Sequence, residues 1–262
     1  MTAQIDPDYL ERGYSVVNTT LENRLRRLRR KFLALFDTAA TSNGLAPISD
    51  DSGVRALYDS EHRDLWVGVY DQLPFLPDVM GLSNSREILA IVRRYGIRWP
   101  ALAGVGTAVL ANMPFDEPFL YVPHQDITYN SGSLNSVTVW IPLQDVPDNI
   151  GPLEVVPESH RLGIVEAPRW LSRRHSTEAD LAESKFAKRY KDEDYIKLPI
   201  QLGQSLVFSQ FLVHRSGRNV SERVRFTLQY RFRDLASTEY ARRNFSLENF
   251  TEESGARFSE NA

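Results

Sequence analysis

The chain has 262 residues, 42% of them apolar and 25% charged, an ordinary balance for a soluble globular protein and enough to bury a core in a single domain over 1–262. It has no cysteine, which excludes disulfides, thiol nucleophiles and iron–sulfur clusters, and a net charge of −3 gives no bulk electrostatic support for binding nucleic acid. The N-terminal "MTAQIDPDYLERGY" lacks the basic-then-apolar order of a signal peptide, and no stretch approaches a membrane span, so a cytoplasmic protein with no membrane partner is expected.

The first clear element starts near Thr19. "TTLE" offers a capping box, Thr19 with Glu22 three residues on, and Leu21, Leu25, Leu28, Phe32 and Phe36 then recur at helical spacing. The opposite face carries Arg24, Arg26, Arg27, Arg29, Arg30 and Lys31. A solvated face accounts for such a run more simply than an anionic partner does. A second helix is expected at "SREILAIVRRYG", capped by Ser85 and stopped by Gly96.

From about residue 104 the character changes to short β-rich segments punctuated by Gly, Pro, Asn and Asp: "GTAVLANMP", "FLYVPHQDITY", "SVTVWIPLQDV", "PLEVVPES", "YIKLPIQL", "SLVFSQFLVHRS" and "RVRFTLQYRF". Such a series after a helical region predicts a mostly β fold, a double-stranded β-helix (jelly roll) with its core at about 104–233 and N-terminal helices packed on one face. Residues 166–193 are dense in both signs of charge and helical in propensity. They predict a partly helical insertion over one end of the barrel, a run that is more often solvated surface than lid.

Five histidines are available. His62 and His175 sit in charged surroundings and read as surface residues, while His160 has no acidic or histidine neighbour at ligand spacing. His124 is different. In "FLYVPHQDITY" (119–129), read as a strand, it lies two positions from Asp126 and therefore on the same face, with Gln125 turned away as a structural residue. His214 ends the strand-like "SLVFSQFLVH", and "RSGRNVSER" then turns the chain. If this is a hairpin centred on 218–220, His214 opposes Arg225 and Ser216 opposes Arg223, with directly opposed β-carbons about 5 Å apart. An arginine beside a metal-binding histidine repels the metal unless an anion lies between them, so the pair implies a carboxylate that bridges metal and guanidinium. Two histidines and one carboxylate facing one side of a metal form the iron(II) oxygenase arrangement. An HxD pair alone is weak; with a distant histidine and an arginine eleven residues beyond it, the pattern is far more specific.

The segments "LERGYSVV", "VPHQDITY", "VTVWIPL", "GPLEVVPESHR" and "GQSLVFSQFLVHRSGRNVSERVRFTLQYRF" resemble the phytanoyl-CoA dioxygenase family of iron(II)- and 2-oxoglutarate-dependent oxygenases over about residues 9–233. The resemblance implies that His124, Asp126 and His214 hold Fe(II), that Arg225 grips the distal carboxylate of the cosubstrate 2-oxoglutarate, that Ser216 of "HRSG" adds a hydrogen bond to it, and that Trp140 lines its pocket. It further implies O2 as the second cosubstrate, release of succinate and carbon dioxide, and oxidation of a small-molecule substrate. Related halogenases carry a small residue in place of Asp126, so the carboxylate favours hydroxylation of a C–H bond over halogenation. Relatives commonly show Asn-Gly-Pro and then Pro-Gly-Ser-His; here Ile150 separates asparagine from Gly151 and Glu158 stands for a glycine, a residue that often marks positive φ. Two rivals need less of this pattern. A redox-neutral cupin-like isomerase or epimerase has no need of Arg225, and a non-enzymatic jelly-roll binding domain has no need of a complete ligand set.

Overall fold

The computed structural model describes residues 5–116, 120–128, 132–165 and 185–246. Helix α1 (Pro7–Arg12) leads into strand β1 (Tyr14–Asn18), and a helical layer follows: α2 (Glu22–Ser42), α3 (Asp51–Asp59), α4 (Arg63–Gln72), α5 (Pro77–Ser83) and α6 (Arg86–Arg94). Helix α2 buries Leu25, Leu28, Phe32, Phe36 and Ala40, as its periodicity requires. The capping box does not form. Thr19 instead ties its amide and hydroxyl to the Gly203 carbonyl (2.7 and 2.9 Å), and Glu22 turns along the helix to Arg26. The basic face of α2 is largely answered from within the fold: Arg29 meets Asp51 and Lys31 meets Asp78. Helix α6 behaves as expected, with the Ser85 hydroxyl accepting from the Ile88 amide and Gly96 at φ +87° just past its end.

The strands are β2 (Pro100–Asn112), β3 (Ser136–Pro142), β4 (Leu153–Val155), β5 (Ile196–Leu198), β6 (Gln204–Ser209), β7 (His214–Ser216) and β8 (Arg225–Asp234). They form two antiparallel sheets, β1-β6-β3-β8-β2 and β5-β4-β7, the two walls of a jelly roll. The larger wall reaches outside 104–233: β1 pairs along β6 from Tyr14↔Phe208 to Asn18↔Gln204, and β2 begins at Pro100. The central strands are buried on both faces, so their alternation separates two environments. Val137, Val139, Ile141, Phe226, Leu228 and Tyr230 face the helical layer, with the Phe226 ring 5.7 Å from that of Phe32. Trp140, Leu206 and Phe208 face the space between the sheets.

Three expectations change. Of the segment 119–129, the described residues 120–128 form no strand: His124 makes one antiparallel bridge, to His214, and Asp126–Thr128 is a 3-10 turn, with Pro123 supplying no amide for a longer ladder. "SLVFSQFLVHRS" is two strands rather than one, because the chain leaves the large sheet after Ser209 and enters the small sheet at His214. Nor is "RSGRNVSER" a hairpin turn. Strand β7 pairs with β4 and β8 with β2 and β3, so this segment crosses between sheets, held by Asn219, whose amide donates to the carbonyls of Asn112 and Arg223. Of the expected insertion, residues 166–184 lie outside the described residues, as does His175 within it; its end contains a short helix, Lys185–Arg189. Among the described residues no helix is long and apolar enough to cross a membrane.

The turn around Glu158 keeps a glycine-like conformation without the glycine, at φ +64°. Its amide donates to the Arg12 carbonyl, and its side chain makes only an exposed pair with Arg161. Left-handed backbone costs a non-glycine residue about 1–2 kcal/mol, and glycine gives back part of that through its greater unfolded freedom. Glu158→Gly is expected to raise stability by about 0.5–1 kcal/mol in denaturant unfolding.

Candidate metal centre and cosubstrate pocket

The two segments that carry the triad meet through their main chains. The His124 amide donates to the His214 carbonyl at 2.9 Å and the His214 amide returns the bond at 3.0 Å. This bridge sets the two imidazoles side by side, centroids 4.2 Å apart and planes tilted by 53°, while the turn after Gln125 brings Asp126 to them. Asp126 Oδ1 then lies 3.9 Å from Nε2 of both histidines. The sequence expectation that His124 and Asp126 look the same way holds, but through a turn rather than strand alternation. Gln125 is buried and structural: its amide nitrogen donates to the carbonyls of Gly163 and Phe211, and its oxygen accepts from the Val165 amide.

Each imidazole is oriented by its far nitrogen. Nδ1 of His124 lies 2.7 Å from the Val122 carbonyl and Nδ1 of His214 lies 2.9 Å from the Leu212 carbonyl. A carbonyl only accepts, so both rings carry their proton on Nδ1 and leave the Nε2 lone pair toward Asp126. Burial pulls His124 down to about 3, with His214 adding to the shift, and burial likewise lowers His214. Both are neutral near pH 7. Burial alone would raise Asp126, but Arg231, through its charge and its hydrogen bond, together with His214 and His124, outweighs it and holds the carboxyl well below its usual range. Two neutral nitrogen donors and one carboxylate oxygen within 4.8 Å of one another are suited to a divalent first-row metal.

Arg225 opposes Asn112 at the start of β8, not His214. It is 3% exposed, its Nη1 donates to the Gly151 carbonyl, and its guanidinium lies 5.5 Å from the Trp140 ring centroid. Burial pulls it down to about 9, still a cation at neutral pH, and no carboxylate pairs with it among the described residues. Arg225 and Ser216 line one cavity of about 1060 Å³, together with Tyr121, whose ring lies 5.9 Å from that of His124. Asn112 also lines this cavity, whereas Trp140 and Thr227 do not. The Arg225 Nε, the Thr227 hydroxyl, the Trp140 indole nitrogen and the Asn112 amide oxygen are buried without a hydrogen-bond partner among the described residues. The unsatisfied donors on Arg225, Thr227 and Trp140, around a guanidinium with no carboxylate partner among the described residues, fit an anionic ligand rich in oxygen.

A family model described as phytanoyl-CoA dioxygenase matches residues 9–227. The chain belongs to the phytanoyl-CoA dioxygenase family. The structure of EctD from S. alaskensis with bound Fe is similar at a TM-score of 0.53 and 16% identity, covering 92% of this chain and 77% of that one. EvdO2 from Micromonospora carbonacea var. aurantiaca is similar at 0.51 and 16%, covering 90% and 96%. SnoK, a carbocyclase from nogalamycin biosynthesis, is similar at 0.49 and 20%, covering 90% and 88%. The first two likenesses show the family's fold. No curated protein sequence matches the chain significantly.

Sequence reasoning missed three neighbours of Asp126: Thr138, Gln229 and Arg231, all hydrogen-bonded to its carboxylate. The signal was present in "RFTLQYRF", where Arg225, Thr227, Gln229 and Arg231 recur with period two inside an otherwise apolar strand.

The histidine environment fixes a pH dependence. In the unfolded chain both histidines take up a proton below about 6.5, whereas in the folded protein they resist it. The unfolded state therefore gains protons first, and stability of the metal-free protein falls as pH drops below 6.5, by up to about 1.4 kcal/mol per pH unit for each histidine. Urea unfolding at pH 5 and pH 7.5 should show the loss, and His124→Gln should reduce it.

Proposed function

We propose that this protein is an iron(II)- and 2-oxoglutarate-dependent oxygenase that hydroxylates an unactivated C–H bond of a small molecule. The observation that carries the reading is Arg225, a buried cation without an acidic partner among the described residues, sharing a cavity with Ser216 beside the two-histidine, one-carboxylate cluster. When bound, iron and 2-oxoglutarate would supply the oxidising chemistry, using O2 and releasing succinate and carbon dioxide.

The protein's own groups have distinct tasks in this reading. His124 and His214 present Nε2 lone pairs whose direction is set by the carbonyls of Val122 and Leu212, and Asp126 adds the charge that favours a divalent cation. Arg225 holds the distal carboxylate of 2-oxoglutarate, assisted by the Ser216 and Thr227 hydroxyls, and the indole of Trp140 packs beside the guanidinium. Burial of Arg225 strengthens the pairing, because the attraction is screened little in a dry interior. Asp126 takes the coordination position that an exchangeable anion would need, which favours hydroxylation. The cavity continues past Arg225 toward Tyr70, Trp66, Phe75 and Met80, and at about 1060 Å³ it leaves room for a substrate with an apolar or aromatic body.

Asp126→Ala and His214→Ala should each abolish iron-dependent formation of succinate from 2-oxoglutarate; unchanged formation would remove the triad. Arg225→Leu should raise the 2-oxoglutarate concentration needed for half-saturation by at least about 10-fold, in line with the loss of a charge-assisted bidentate pair.

A further inference from the structure

We infer that Thr138, Gln229 and Arg231 are positioning residues that hold Asp126 as a one-oxygen metal ligand. The inference rests on the metal reading above and goes beyond it to a part of the site that the triad does not include. Asp126 is fully buried, and both its oxygens are engaged by side chains. Oδ2 accepts from the Thr138 hydroxyl at 2.5 Å and from the Gln229 amide nitrogen at 3.1 Å. Oδ1, the oxygen nearest both Nε2 atoms, accepts from Arg231 Nη2 at 3.0 Å.

The three donors come from the two central strands of the large sheet. Thr138 on β3 pairs directly with Arg231 on β8, and Gln229 lies two residues from Arg231 on the same face. These strands are locked by ladders on both sides, so the donors move little, whereas Asp126 sits on a one-turn 3-10 segment with no ladder of its own. A carboxylate on such a turn has rotamer freedom, and a free carboxylate can rotate both oxygens onto a metal. With Oδ2 held back by Thr138 and Gln229, only Oδ1 faces the histidines, which keeps the remaining coordination positions open for other ligands. Arg231 performs a different task from Arg225. Six residues separate them along β8, about 20 Å at strand rise, so one arginine anchors a protein carboxylate and the other stands ready for a ligand carboxylate.

The test uses the 262-residue chain, Co(II) as the probe and two readouts: Co(II) affinity and the Co(II) d–d absorption, which reports coordination number. Thr138→Val removes one donor at nearly constant volume, and Thr138→Ser restores it. Arg231→Lys keeps the charge and loses the planar fork. Thr138→Val and Arg231→Lys are expected to weaken Co(II) binding about 10-fold or more and to change the d–d spectrum, with Thr138→Ser close to wild type in both. If Thr138→Val and Arg231→Lys bind Co(II) within about two-fold of wild type and give its spectrum, the positioning role is overturned and the metal site stands. If Arg231→Lys does not fold, the Thr138 pair decides alone. A wild-type protein that binds no Co(II) overturns the metal reading and the positioning role with it.

Discussion

Strand β8 is buried on both faces, so each of its side chains must find either an apolar neighbour or a polar partner. On one face Phe226, Leu228, Tyr230 and Phe232 meet the helical layer, where Phe226 packs between Phe32 and Phe36. On the other, Arg225, Thr227, Gln229 and Arg231 stand inside the jelly roll. Burying two arginines and two neutral polar groups on one strand is costly unless each is answered. Arg231 and Gln229 are answered by Asp126; Arg225 has the Gly151 carbonyl for Nη1, while its Nε and the Thr227 hydroxyl have no hydrogen-bond partner among the described residues. The helical layer and the polar interior are thus two consequences of one alternating strand.

The charges in that interior explain how the parts depend on one another. The imidazoles are neutral, the Asp126 carboxylate is balanced by Arg231, and Arg225 remains as a buried cation with no compensating carboxylate among the described residues. A divalent metal alone would add positive charge to a site already positive by one. A dianionic cosubstrate that reached both metal and Arg225 would cancel the charge the metal adds, so binding of the two should be mutually favourable. The family assignment and this charge pattern converge, the first from the whole chain and the second from a few buried atoms.

The His124–Asp126–His214 cluster was legible because charged and metal-binding residue types stand out inside β-rich segments. The route by which they meet was not. Reading 119–129 as a strand placed His124 and Asp126 together for the wrong reason, since a single bridge and a turn do the work. Reading 214–225 as a hairpin set Arg225 beside His214, whereas the chain switches sheets and the register partners are Val155 and Asn112. Pairing between strands distant in sequence leaves no local trace, and short β-segments joined by polar linkers look alike whether they turn back or cross over. Thr138, Gln229 and Arg231 escaped for a related reason: polar residues on a strand ordinarily signal solvent, and only burial of both faces turns them inward.

If an anionic cosubstrate completes a metal centre at His124, Asp126 and His214, its binding has an optical signature. The direct measurement is an anaerobic titration of the Fe(II)-loaded protein with 2-oxoglutarate, followed by visible absorption. A charge-transfer band is expected that grows to saturation with 2-oxoglutarate, needs the metal, and is lost in His214→Ala. An absorption spectrum that does not change on adding 2-oxoglutarate to the Fe(II)-loaded protein would contradict it.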